Sequence, residues 1–291
     1  MFKFFANIFG YVLNYIYGLV NNYGLTIIIF TILLRLILLP MNLKQQKTMK
    51  KSAKIQVKMK EIQDKYSNDP VRLNEEVRNL YAEEHMNPFS GCLSSILQII
   101  IIISMFLLVS NPLTYMKHLS SNKIKEYTKI VKEENNGENV NYIEIAIIKS
   151  LGKTKKDVSL NMDFLGLDLS DVPSKNYNNP KVFIIPVLYV STSILSMKLN
   201  TAMMEDKKKK DEKNKVVEAN KEDEKLVKVD KNSEEEDAMA SMSKSMRYMM
   251  PIMTVSIALI APLGLALYWF VSNLLMILER LFVNKFVKEE E

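Results

Sequence analysis

Arg35 lies inside an otherwise apolar run, Leu25 to Leu39, and its chemistry is the first thing to account for. Placing arginine at the centre of a membrane helix costs roughly 2.5 to 3.5 kcal/mol on insertion scales, so a residue kept there is either at work or reaching water. Its fixed positive charge attracts anionic groups, and that attraction strengthens in a low dielectric. Further polar residues inside apolar stretches are Gln98, Ser191, Thr192, Ser193, Ser196, Trp269 and Asn273. If they faced one another they would line a half-wet groove. Alternatively, Ser and Thr bond back to their own helix, and Gln or Asn bonds a neighbouring one.

Motifs for covalent chemistry are missing. There is no HExxH, no GxSxG and no GxxxxGK[ST], and His85 and His118 both fall outside the apolar stretches. We therefore expect no enzyme, no catalytic residue, no metal and no cofactor. A secondary transporter normally keeps an ionisable group near the bilayer midplane, commonly an acidic one. None is found in these stretches, because Glu279 sits at the end of the last one, next to Arg280. Water is then the expected partner of Arg35. A small anion transporter or channel built on Arg35 stays open as an alternative. So does simple snorkelling, since Lys44 follows Arg35 by nine residues, about 13 Å along a helix.

The elements that must position these residues follow from where the apolar residues collect. They form blocks along the 291 residues rather than amphipathic patterns, which predicts an all-α polytopic membrane protein. We place an external amphipathic interfacial helix at 1–22 and a first span at 23–43. A cytoplasmic helical hairpin follows at 44–87, then a second span at 88–110 and an extracellular loop at 111–179. The third span is 180–199, a flexible charged cytoplasmic loop 200–244, the fourth span 245–261, the fifth 262–284, and a cytoplasmic tail 285–291. The fourth and fifth spans are short and separated only around Ala261 and Pro262, so they should form a tight hairpin.

Lysines at 44, 47, 50, 51 and 54, and again at 207 to 210, mark cytoplasmic loops. The N-terminus is then outside and the C-terminus cytoplasmic. That bias accounts for much of the net charge of +6, and no nucleic-acid module is visible. The single Cys92 cannot form an internal disulfide. Residues 2 to 20 lack a cleavage site and are expected to stay, with Phe5, Phe9, Val12, Ile16 and Leu19 on one stripe and Lys3, Asn7, Gly10, Asn14 and Gly18 on another.

In the cytoplasmic hairpin, Ile55, Met59, Ile62 and Tyr66 form one stripe, and Leu73, Val77, Leu80 and Glu84 a second. Asn68 or Asp69 is placed to cap the second helix, with Pro70 in its first turn. Lys54, Lys58, Glu61, Arg72 and Glu76 are its candidate docking residues. Met239, Met242, Met246, Met249, Met250 and Met253 could form an adaptable apolar surface.

Several blocks in order then give a specific pattern. They are Leu33-Leu34-Arg35-Leu36-Ile37-Leu38-Leu39-Pro40 before a basic helix, Asn87-Pro88-Phe89-Ser90-Gly91-Cys92-Leu93 with Gln98, Met249-Met250-Pro251-Ile252-Met253, and Pro262-Leu263-Gly264-Leu265-Ala266-Leu267-Tyr268-Trp269. The chain resembles the YidC/Oxa family of membrane protein insertases, in the form found in Gram-positive bacteria. The resemblance implies five helices enclosing a hydrophilic groove that opens to the cytosol and laterally to lipid. Arg35 matches the groove arginine, and Gln98, Thr192, Ser196, Trp269 and Asn273 become candidate groove residues.

The resemblance also implies a bacterial plasma membrane location and nascent membrane proteins and the lipid bilayer as partners. The Sec translocon, the ribosome and the signal recognition particle pathway are implied as further partners. The sequence departs from the family pattern at Ser94, Ile99 and Ile100 in the second span, and at Ser196-Met197, where a Gln-Gln pair is common.

Overall fold

A computed structural model describes residues 1–67, 69–84, 90–135, 140–199 and 253–286. The charged loop at 200–244, the start of the fourth span, the methionines from Met239 to Met250, the Asn87-Pro88-Phe89 segment and the last five residues lie outside the described residues.

The described chain is mostly helical. In order come α1 (Phe2–Val20), α2 (Tyr23–Lys65), α3 (Pro70–Glu83), α4 (Ser90–Ser110), α5 (Pro112–Tyr115), α6 (Ser121–Glu134) and α7 (Ile143–Leu151). Strands β1 (Asp163–Phe164) and β2 (Leu167–Asp168) form an antiparallel hairpin in which Asp163 pairs with Asp168 and Phe164 with Leu167. After them come α8 (184–199), α9 (253–260) and α10 (Leu263–Phe286).

Among the described residues, three stretches are long and apolar enough to cross a membrane: Tyr23–Gln45, Pro180–Leu199 and Leu263–Phe282. Ile96–Ser110 is apolar but shorter. Ile37, 74% exposed, and Leu36 show large apolar side chains on the protein's outer surface, as expected where lipid is the solvent. The protein is therefore a polytopic all-α membrane protein.

The chain divides into two compact units, one holding Met1–Leu39, Ile96–Ile194 and α10, the other holding Pro40–Ser95. In the first unit, local residue chemistry sets each helix end. Asn21 takes the left-handed conformation (φ 47°) and donates its backbone N–H to the Tyr17 carbonyl, which stops α1. The next residue, Asn22, accepts the Leu25 N–H through its side chain at 3.0 Å and so starts α2.

The stripe of α1 that turns inward is Ala6, Gly10, Leu13 and Tyr17, while Phe4, Ile8, Tyr11, Tyr15 and Leu19 are exposed. The sequence reading set Gly10 on one stripe with Lys3, Asn7, Asn14 and Gly18, and the structure buries it. A glycine contributes no polar side chain, and here it lets α1 press its backbone against α5. A β-carbon at Gly10 would overlap the Tyr115 carbonyl.

Beyond α4, residues 111–179 fold around one core. α6 packs on α7, and both touch α5. Glu144 on α7 is 4% exposed and accepts from the Thr114 N–H at 2.9 Å and the Thr114 hydroxyl at 2.5 Å, which satisfies an amide that the short α5 leaves open. At the tip of the β-hairpin Leu165 and Gly166 both have positive φ, 54° and 77°, the turn geometry whose twist matches paired strands.

Segment 161–171 also supplies carbonyls to two helix starts, those of α2 and α10. Tyr23 N–H donates to Asn161 O at 2.9 Å, Leu263 N–H to Asp171 O at 2.9 Å, and Gly264 N–H to Leu169 O at 2.9 Å. Asn161 donates its own backbone N–H to the Tyr17 hydroxyl at 2.8 Å and its side-chain amide to Asn21 O at 3.1 Å. The starts of α2 and α10 are thereby held at one level.

In the second unit the two predicted stripes of the hairpin turn inward. Ile55 and Leu80 are buried, and Met59, Ile62, Tyr66, Leu73, Val77 and Glu84 are partly buried. Asp69 caps α3 by accepting the Arg72 N–H, with Pro70 in the first turn. α2 runs on through Pro40 without a break, although proline removes one ladder hydrogen bond.

Two outcomes follow. Gly10→Ala should lower the thermal unfolding midpoint in detergent by the equivalent of about 1–3 kcal/mol, because the added carbon must push α1 off α5. Gly18→Ala, which meets nothing within 4 Å, should leave the midpoint unchanged or raise it. The second outcome concerns pH. Burial holds the Glu144 carboxyl above its ordinary value, with the Thr114 hydroxyl and amide partly opposing. A carboxyl raised in the fold binds its proton more tightly there than in the unfolded chain. Its contribution to stability is complete below the ordinary carboxylate range and is lost as pH rises through the raised value. The unfolding midpoint of Glu144→Gln should accordingly gain on that of wild type as pH rises through this window.

Candidate functional site

Arg35 occupies the site because of how α2 and α10 start. Their first residues, Tyr23 and Leu263, bond the same external segment, so in this unit the two helices run from a common level. At 1.5 Å per residue, Arg35 is about 18 Å along α2, Ser272 about 13 Å along α10 and Glu279 about 24 Å. The arginine therefore reaches α10 between those two residues. Arg35 Nη2 donates to the Ser272 hydroxyl at 2.7 Å and to the Ser272 carbonyl at 3.1 Å. Its Nη1 lies 3.8 Å from Glu279 Oε2, with the two side chains 16% and 12% exposed.

This corrects the expectation that no acidic partner is available and that water alone serves Arg35. Sequence adjacency had set Glu279 against Arg280. Neighbours on a helix diverge by about 100°, so Glu279 and Arg280 point in different directions and the Glu279 carboxylate reaches toward α2. Arg280 is partly buried and has the Met276 sulfur at 3.4 Å.

Tyr268 is buried and shares a hydrogen bond with Ser272. Tyr268, Ser272 and Glu279 are spaced four and seven residues apart, so they lie along one stripe of α10. The sequence reading chose the neighbouring stripe, Trp269 and Asn273, and missed Ser272 altogether. The signal that could have found it is this spacing: one hydroxyl a turn after a tyrosine and two turns before a carboxylate.

The other expected groove residues are arranged more loosely. Trp269 packs against Tyr189 of α8, ring centroids 5.3 Å apart, and Tyr189 shares a hydrogen bond with Thr254 of α9. An aromatic pair thus joins α8 to α10 beside the arginine's helix. Thr192 bonds back to its own helix, to the Leu188 and Tyr189 carbonyls at 2.9 Å each. Gln98 and Asn273 are partly buried, and Ser196 is buried.

In the hairpin, Lys58 bridges to Glu84 at 2.5 Å and so ties α2 to α3. Arg72 lies over the Tyr66 ring, 5.3 Å from its centre. Glu61 is exposed and Glu76 partly buried, while the Lys54 side chain lies outside the described residues. Of the proposed docking residues, Lys58 and Arg72 thus have work within the hairpin.

The arrangement offers a positively charged, hydrogen-bonding centre inside an otherwise apolar bundle. Comparison with known proteins bears directly on this. The chain is 43% identical over 97 residues to the membrane protein insertase YidC of Caldanaerobacter subterraneus subsp. tengcongensis, covering 33% of this chain and 47% of that one. It is 41% identical over 106 residues to the membrane protein insertase YidC of Francisella tularensis subsp. novicida, covering 36% of this chain and 19% of that one. The matched stretch thus spans about half the length of the first relative and about a fifth of the second. The 60Kd inner membrane protein family matches from residue 15 to residue 290, nearly the whole sequence, and the chain belongs to that family, the YidC/Oxa group.

Proposed function

We propose that this protein is a membrane protein insertase that takes hydrophilic segments of nascent membrane proteins into a groove and releases their apolar segments into lipid. The observation that carries this reading is Arg35, a permanent charge held on α10 inside a span by Ser272.

In this reading five spans surround the groove, which opens to the cytosol and to lipid and is closed outside by the external domain. The N-terminus lies outside, the C-terminus in the cytosol, and the exposed face of α1 with Phe4, Tyr11 and Tyr15 rests in the outer interface. Arg35, Gln98, Thr192, Ser196, Trp269 and Asn273 contribute to the groove, and the α2–α3 hairpin receives clients. The bilayer, the Sec translocon, ribosomes and the signal recognition particle pathway are its partners.

No covalent step is needed. A groove shortens the dry path for polar residues, and Arg35 draws acidic ones in. Burial of the client's own helix supplies the driving force, about 25 cal/mol for each Å² of apolar surface removed from water. The membrane potential adds about 2.3 kcal/mol per charge per 100 mV for an acidic segment moving outward.

Purified protein in vesicles without Sec should insert a single-span substrate with an acidic leader. Arg35→Ala should lower that insertion about tenfold, the scale of one charge-assisted contact, and Arg35→Lys should keep part of it, because lysine retains the charge but loses the planar fork. Equal insertion by wild type and Arg35→Ala would reject the electrostatic role. An anion flux in client-free vesicles that depends on Arg35 would instead support a channel.

Deletion of residues 54–84 should reduce insertion while the expressed amount in the membrane is unchanged. Undiminished insertion by the shortened protein would remove the hairpin from client reception.

A further inference from the structure

The Arg35–Glu279 pair is incompletely made. At 3.8 Å the carboxylate is close enough to feel the charge and too far for a hydrogen bond, which needs about 2.7–2.9 Å between a guanidinium and a carboxylate. The fork is meanwhile kept in place by other means. Ser272 accepts two bonds from Nη2 through its hydroxyl and its carbonyl, and buried Tyr268 holds the Ser272 hydroxyl in turn. The guanidinium is thus oriented by neutral groups, and its charge is offset by a carboxylate that does not close on it. Both side chains keep some exposure, so the pair is reachable. The neighbouring Arg280, partly buried on the same helix, also lies within electrostatic reach of Glu279.

A carboxylate that oriented the fork would be closed on it and bidentate; here Ser272 makes the hydrogen bonds to Arg35 and Glu279 stands at ion-pair distance only. We propose that Glu279 is a built-in competitor for Arg35, which an acidic stretch of a client must displace, so that the pair sets how acidic a client segment has to be. This rests on the insertase reading and adds to it a residue that determines specificity. A client carboxylate that forms a direct bond with the guanidinium outcompetes Glu279, because it adds hydrogen bonds to the same Coulomb attraction. A neutral polar segment brings no charge to replace the one it displaces and is held back.

The test is binding of a fluorescein-labelled Gly/Ser peptide carrying two aspartates, and of its two-asparagine counterpart, to the full-length protein in detergent micelles. Glu279→Gln is expected to tighten the aspartate peptide about three- to tenfold and to leave the asparagine peptide within error. In an Arg35→Ala background the same change should have no effect. Unchanged or weaker binding of the aspartate peptide by Glu279→Gln, accompanied by a lower unfolding midpoint, would make the pair merely structural and overturn the proposal. If Glu279→Gln is not stable enough to purify, Glu279→Asp serves, since it withdraws the carboxylate by one methylene. It should tighten the aspartate peptide by a smaller factor in the same direction, and no change would again overturn the proposal. Equal binding of the aspartate peptide by wild type and Arg35→Ala overturns both this proposal and the groove-arginine reading beneath it. Loss of binding in Arg35→Ala with no gain in Glu279→Gln removes the competitor alone.

Discussion

The structure depends on satisfying the first backbone amides of helices that begin at a membrane surface. A helix start leaves four N–H groups without partners, and hydrocarbon offers none. Segment 161–171 answers this for α2 and α10 together through the carbonyls of Asn161, Leu169 and Asp171, and Asn161 also takes hold of the end of α1. Because the donors belong to the backbone, the arrangement asks little of side-chain identity at Tyr23, Leu263 and Gly264. What it does require is a rigid loop that presents carbonyls at the right spacing. The β-hairpin, its positive-φ turn at Leu165 and Gly166, and the packed α5–α7 core supply that rigidity.

A consequence appears about 18 Å away along α2. Two helices fixed at a common level have a fixed register further along, since each residue advances by 1.5 Å. That register brings Arg35 between Ser272 and Glu279. An arginine within a span is tolerable when its donors are occupied and its charge is offset, and here a hydroxyl, a carbonyl and a distant carboxylate share those tasks. Segment 161–171, well removed along the helices from the charge, is what sets the arginine's surroundings. Exchange of Glu279 for a client carboxylate, as proposed, would use the one part of this arrangement that is not hydrogen-bonded to the fork.

Features that depend on local periodicity were readable from residues. The inward stripes of the hairpin, Ile55 to Tyr66 and Leu73 to Glu84, follow from a spacing of three to four residues, and Asp69-Pro70 announces the start of α3 by its capping chemistry. Thr192 also behaves as its position on a helix suggests, bonding back to Leu188. Where the reading went astray, the cause was a contact between distant segments. Gly10 was grouped with Lys3, Asn7, Asn14 and Gly18, though its lack of a side chain serves the approach of α1 to α5. The external region could be seen to be structured, but not that it would bond three helix termini.

Sequence alone determined the membrane as solvent, the helical class, the family and the prominence of Arg35, because each rests on composition, apolar length or ordered motifs. Tertiary structure alone decided which groups surround that arginine. Ser272 and Glu279 are 237 and 244 positions away from Arg35, and although their spacing puts them on one stripe of α10, the spacing does not say that this stripe faces Arg35. The rotation of α10 about its axis and its level relative to α2 decide that. Both are set by backbone hydrogen bonds from a loop whose sequence carries no mark of that role.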